Sequence, residues 1–266
     1  MNQSKKRHTH NKVLLFGVAL CFLAAYPAPT MVQQPKQSEV KKELATILDN
    51  RESQIIENTG YTVSYNKEWH IPNWVAYQLT AQETLGEVPR TGGFEPDPQA
   101  SGVVISANDY KNSGYDRGHM APAGDMKWSY VAMKESFYLS NVCPQNHALN
   151  SGDWRILEEK IRVLAQKFGA LYIACGPIVS ADYQTIGYNK IAVPDSFFKV
   201  LLREKDGTYE SIGFVFKNEA GHKPLSAYAM SVDSVEKLTN IDFFSFLPDS
   251  FCTWESTYSL SSWNIK

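Results

Sequence analysis

The chain has 266 residues, 43% apolar and 20% charged, which is enough apolar material for one sizeable core and too much for a disordered or collagen-like chain. Its 26 Lys and Arg against 28 Asp and Glu leave a formal charge of −2. That balance excludes a protein that coats nucleic acid through bulk positive charge.

At the N-terminus, Lys5, Lys6, Arg7 and Lys12 precede an uncharged run from Val13 to Tyr26, and no acid occurs before Glu39. A basic stretch followed by a short apolar one has the layout of a secretory signal, and the run is shorter than the roughly 20 residues a membrane-crossing helix needs. Pro27, Pro29 and Pro35 argue against a buried helix there. Residues 1–28 are therefore expected to be a signal peptide or N-terminal anchor, and the chain to be exported, periplasmic or secreted. Removing this segment takes away four basic residues and no acids, leaving 22 against 28, or −6. Residues 29–58 read as a polar tether and a short helix, because Val40, Leu44, Ile47 and Leu48 fall at helical spacing.

From there the chain alternates in strand fashion. Tyr61, Val63 and Tyr65 begin the pattern. Further strands are expected at Trp74–Leu79, Val103–Ser106, Phe137–Val142, Leu171–Ala174, Phe197–Leu202 and Ser211–Phe216. Trp154, Leu157, Ile161, Leu164, Ala165 and Phe168 form one apolar stripe, predicting a helix that stops at Gly169. A second helix is expected over Val235–Thr239. The layout is a single α+β domain over residues 59–266, with a central, mainly antiparallel sheet flanked by helices. Cys143, Cys175 and Cys252 are an odd set with no C-x-x-C, so any disulfide pairing among them is left open.

Asp116-Arg117-Gly118-His119 carries the clearest chemistry. In an extended segment Arg117 and His119 share a face, a His suits general-base work near neutral pH, and an Arg suits a phosphate or carboxylate. Asn150 follows in a polar stretch and reads either as a helix cap or as a neutral oxygen ligand for a hard cation. Glu158 and Arg162 are an i,i+4 pair, either an exposed ion pair or a metal- and phosphate-facing couple. Arg90 lies in a loop where an Arg is normally solvated. Cys143 and His147, with His119, make a zinc site conceivable, but the clustered Cys and His pairs of structural zinc are lacking.

Asp116-Arg117-Gly118-His119, then Asn141-x-x-Pro144-Gln145, Asn150 and Trp154, resembles the DNA/RNA non-specific endonuclease family, the endonuclease G-like ββα-metal nucleases. The likeness extends upstream through Trp74–Tyr77 and the Arg90 loop. Downstream it takes in Gly176-Pro177, Val193-Pro194-x-x-Phe197-x-Lys199 and Leu238–Phe244. The resemblance implies a ββα-metal (His-Me finger) active site that cuts DNA and RNA with little sequence specificity. Carried over by position, it makes His119 the general base, Asn150 the direct Mg2+ ligand (with Mn2+ as substitute) and Glu158 the acid facing the ion's waters. Arg90 becomes the charge-stabilising arginine, and Arg117 and Arg162 substrate-side arginines. The substrates implied are DNA and RNA, and a homodimer is left open. A non-cutting nucleic-acid binder and a small-molecule phosphodiesterase are the competing readings. Between Arg90 and Lys167, nine Lys and Arg balance nine Asp and Glu, so the acidity lies outside the site segment. A few placed cations and an ion suffice for a hydrolase that must release its products.

Overall fold

The computed structural model describes residues 1, 41–247 and 253–266. The expected leader and the start of the tether lie outside these residues, as does Cys252. The first half of the chain forms β1 (Ala45–Ile47), β2 (Gln54–Glu57), β3 (Thr62–Asn66), β4 (Ile71–Thr80) and β5 (Asp116–His119). Helix α1 (Tyr130–Glu135), β6 (Val142–Gln145), α2 (His147–Ser151) and α3 (Asp153–Phe168) follow. The rest comprises β7 (Ala170–Ile178), β8 (Thr185–Ile186), β9 (Ile191–Ala192), β10 (Ser196–Lys205), β11 (Thr208–Lys217) and β12 (Ala229–Met230). Helix α4 (Val232–Thr239), β13 (Ile241–Phe243) and α5 (Thr253–Ser256) complete the order.

Seven strands form an antiparallel sheet in the order β12-β11-β10-β7-β4-β3-β2. Its central strands are apolar on both faces, because side chains alternate and each face is covered. Phe197 and Leu201 of β10 join one core with Val75, Tyr77, Ile173 and the α3 stripe of Trp154, Leu157, Ile161 and Leu164. Phe198, Val200 and Leu202 join the other, with Trp74, Val232, Val235 and Phe243. Helix α3 is thus held along one face of the sheet, and the β5–β6 hairpin lies on the same side through Val142 and Cys143. This is the α+β architecture anticipated, with the hairpin and α2 as its ββα element.

Three expected elements differ. Ala45–Ile47 is not helical but pairs as a strand with Ile241–Phe243. Its spacing suits a helix, yet a three-residue contact with β13 gives the backbone a partner that a lone short helix lacks. Val103–Ser106 forms no strand; Val103 and Val104 are exposed, and a 3-10 turn over Ala107–Tyr110 follows, opened by a reciprocal Ser106–Asp109 cap. Phe137–Val142 is largely a 3-10 turn at Leu139–Asn141, with pairing only from Val142 onward. Ile105 in the first segment and Phe137 and Leu139 in the second are buried from loops and turns, so period alone misleads. Cys143 and Cys175 are buried and unbridged.

Candidate active site

Strand β5 pairs antiparallel with β6 so that Gly118 faces Cys143 and His119 faces Val142. A Cβ on Gly118 would lie 2.1 Å from Gln145 Oε1 and 2.6 Å from its Cβ, so the close approach of the two strands requires glycine. The backbone just beyond His119 is pinned carbonyl by carbonyl. Trp154 Nε1 donates to His119 O at 3.3 Å, and Lys199 Nζ to Met120 O at 3.3 Å. Asn141 Nδ2 donates to Ala121 O at 2.9 Å while its Oδ1 accepts from Ala121 N. Helix α3, strand β10 and the turn before β6 therefore fix one short segment, and with it the direction of His119.

The His119 ring lies between two phenylalanines, 5.0 Å from Phe94 and 5.1 Å from Phe137. Arg117 stacks over Phe94 at 4.7 Å and Arg90 over Phe137 at 4.9 Å. Each guanidinium is thereby held by a cation–π contact of about 0.5–1 kcal/mol at this exposure. His119 Nε2 is buried without a partner, leaving Nδ1 as the nitrogen accessible from the cleft. For Nδ1 to accept a proton, the neutral ring carries its hydrogen on the buried Nε2. Burial first, and the charge of Arg90 second, push His119 down to about 3. The imidazole is thus neutral across the working pH range.

That depression has a sign for stability. Between the ordinary histidine value of about 6.5 and 3, the folded chain binds fewer protons than the unfolded one, so stability falls as pH falls through that window. His119→Gln removes this penalty. Its melting temperature relative to wild type should rise on going from pH 7.5 to pH 5, and a pH-independent difference would contradict the buried neutral ring.

Asp116, on the opposite side of β5, joins the hairpin to α2. Its Oδ2 accepts from Asn150 Nδ2 at 2.9 Å and lies 2.9 Å from His147 Nδ1. Asn150 is not a cap: Asn146 caps α2, accepting from the Ala148 and Leu149 N–H groups. With its NH2 held by Asp116, the Asn150 Oδ1 accepts no hydrogen bond among the described residues. Glu158 lies in the same cleft and makes no ion pair among the described residues. Burial pushes its carboxyl up to about 7, Asp125 adds to the shift, and Lys199 and Arg162 draw it back. An oriented amide oxygen and a desolvated carboxylate without an ion pair, lining one cleft, are a fitting donor set for a hard divalent ion such as Mg2+. No zinc cluster joins Cys143 to His147, since Cys143 is fully buried in the core while His147 is exposed. A carboxylate trio of Asp233, Glu236 and Glu255 sits on α4 and α5 and shares no residue with the cleft.

Of the two readings of Glu158 and Arg162, the ion pair does not form. Arg162 Nη1 binds Asp125 Oδ1 at 2.8 Å, and the i,i+4 pair on α3 is Arg155–Glu159. Asp125 has a fully buried side chain and also accepts from Tyr77 Oη at 2.8 Å. The fold sets the Asp125 carboxylate against the Arg162 guanidinium in a site where water does not screen their attraction. Arg90, Arg117, His119, Asn150, Glu158 and Arg162 all line one cleft of about 730 Å3, so the structure brings together every candidate residue. Phe94, Phe137, Asp125 and Lys199 complete the arrangement. Sequence reading missed them as site residues because each reaches the site through a contact distant along the chain.

The DNA/RNA non-specific endonuclease family model matches residues 45–250. The chain belongs to the DNA/RNA non-specific endonuclease family. Among similar family proteins, mitochondrial nuclease EXOG of Danio rerio is 36% identical over 219 residues, covering 74% of this chain and 64% of that protein. Mitochondrial endonuclease G of Homo sapiens is 34% identical over 206 residues, covering 72% and 69%. A crystal structure of an EndoG/EndoGI complex superposes with a TM-score of 0.72 at 29% identity, covering 80% of this chain and 92% of that one. The chain spans less than two thirds of the length of the EXOG relatives it matches.

These family members overturn the export expectation, because the vertebrate relatives are named as mitochondrial nucleases. A basic, acid-free start is shared by more than one kind of targeting segment, so it does not single out secretion. Among the described residues, no helix is long and apolar enough to cross a membrane.

Proposed function

We propose that this chain is a metal-dependent endonuclease that hydrolyses phosphodiester bonds of DNA and RNA with little sequence specificity. The observation that carries this reading is the convergence of His119, Asn150, Glu158 and three arginines on one cleft. A non-cutting relative would have no need of a pinned, neutral histidine beside a cation-seeking amide and carboxylate.

In this reading His119 Nδ1 takes the proton of the attacking water. Arg90 weakens that base in the free protein, and the negative charge of a bound phosphodiester offsets Arg90, so the imidazole becomes more basic once substrate is present. Arg90 and Arg117, steadied on their phenylalanines, place fixed positive charge against the phosphate oxygens. Asn150 Oδ1 would hold a divalent ion, Mg2+ by the hardness of its donors with Mn2+ as substitute, and Glu158 would face its remaining shell. When bound, that ion would supply charge relief at the phosphate and at the departing oxygen. Asp116 keeps the Asn150 oxygen turned outward. None of these groups reads a base edge, which favours cutting without sequence preference. We assign the nuclease unit to residues 45–266 in place of the expected 59–266, because β1 and β2 pair within it.

Plasmid DNA and RNA digestion with Mg2+ and with EDTA tests the reading. Both substrates should be degraded with Mg2+ and neither with EDTA; cutting that survives EDTA would sink it. Asn150→Ala should raise the Mg2+ concentration needed for half-maximal rate about tenfold or more, in line with the loss of a ligand or its orientation. An unchanged Mg2+ titration removes Asn150 from the ligand set.

A further inference from the structure

Beside the catalytic cleft stands a hairpin that the mechanism does not use. Strands β8 and β9 pair Thr185 with Ala192 and Ile186 with Ile191, and the intervening turn is Gly187-Tyr188-Asn189-Lys190. Tyr188 at its tip is 94% exposed, the most exposed aromatic side chain among the described residues.

The turn is rigidly mounted. Asn189 Nδ2 donates to both carboxylate oxygens of Asp109, at 3.1 and 3.0 Å, and Asn189 N donates to Oδ1 at 3.1 Å. Asp109 is itself buried and also accepts from Ser106 N at 2.9 Å. Gly187 has φ +69°, and a Cβ there would lie 2.5 Å from Asp109 O. The residues on either side of Tyr188 are thus riveted to the 3-10 turn Ala107–Tyr110. Asn108, Tyr110 and Lys111 of that same segment line the catalytic cleft. Asn189 Nδ2 also reaches Val104 O at 3.4 Å, which sets Val104, 68% exposed, beside the hairpin tip. Lys111 and Lys190 flank this shelf, exposed and without an ion-pair partner among the described residues.

We propose that this shelf is a base-stacking subsite, on which an unpaired base of a single-stranded polynucleotide stacks against Tyr188 while Lys111 and Lys190 face the neighbouring phosphates. The inference rests on the nuclease reading of the adjoining cleft and extends it to how the strand is held. An aromatic platform with flanking cations is the chemistry that binds single strands irrespective of sequence, because every base has a π face. The rigid mounting means that little conformational freedom is lost on binding. The ring's exposure leaves both of its faces open to a stacked base.

The test uses the full chain carrying His119→Ala, which removes cutting, with Mg2+ and a fluorescent single-stranded DNA 12-mer. Added Tyr188→Ala should raise the Kd about tenfold, as the loss of one stacked base predicts, while Tyr188→Phe and Tyr188→Trp keep tight binding. With His119 intact, Tyr188→Ala should leave turnover of bis(4-nitrophenyl) phosphate, which is too short to reach the shelf, unchanged. An unchanged Kd for Tyr188→Ala overturns the proposal. So does a change in oligomeric state with oligonucleotide affinity preserved, which would make the shelf a protein contact. Failure of the wild-type chain to cut any phosphodiester would instead strike the nuclease reading, since the binding measurement needs no turnover.

Discussion

Replacing His119 with alanine should lower phosphodiester hydrolysis by about 10²–10⁴-fold, the range spanned by loss of a positioned general base. The fold should survive, because the backbone at His119 is held by other residues: Trp154, Lys199 and Asn141 bind the carbonyls of His119, Met120 and Ala121. The loss should appear in kcat more than in KM, since Arg90 and Arg117 keep their stacks on Phe137 and Phe94. Alanine opens a gap between the two rings, so a circular dichroism melt alongside the kinetics separates lost chemistry from lost packing. A variant that retains near-wild-type kcat would remove His119 from the base role.

The second large effect is on stability. Asp125→Ala should destabilise the chain by about 3 kcal/mol, toward the lower end of the range for breaking a buried ion pair. Asp125 is fully buried and holds both Tyr77 Oη and Arg162 Nη1 at 2.8 Å, so its removal strands a buried hydroxyl and a guanidinium at once. The Arg162 side chain is 24% exposed, which lets water take back part of the cost. For a domain of this size the melting temperature should drop by about 6–12 °C. Arg162, freed from its anchor, should also bind substrate less specifically, raising KM in the same variant. A melting point within about 2 °C of wild type would show that the Asp125 carboxylate carries no such load.

Several features were legible in the one-dimensional pattern. The α3 stripe from Trp154 to Ala165 requires a helix because its buried apolar residues recur at helical spacing. The runs in β4, β10 and β11 suit strands covered on both faces, since each is mostly apolar on successive residues. The Asp116-Arg117-Gly118-His119 motif and its ordered companions carried the family resemblance, because those residue types at those spacings recur together for one chemistry.

What the tertiary structure alone decided are pairings between residues far apart in sequence. Arg162 has Glu158 as its natural helical neighbour, yet it binds Asp125, 37 residues away, because the fold sets that fully buried carboxylate 2.8 Å from the guanidinium. Asn150 looks like a cap in isolation; Asn146 takes that role, and Asp116, 34 residues upstream, turns the Asn150 amide to leave its oxygen unengaged. The Leu44–Leu48 spacing suits a helix, but β13, nearly two hundred residues later, offers hydrogen bonds that make it a strand. Phe94 and Phe137 enclose His119 from two loops that no periodicity connects. Residue type and local spacing determine which chemistry and which local element are available. Which partner completes each buried charge, open backbone edge or ring face depends on the fold, because those interactions strengthen only where folding excludes water.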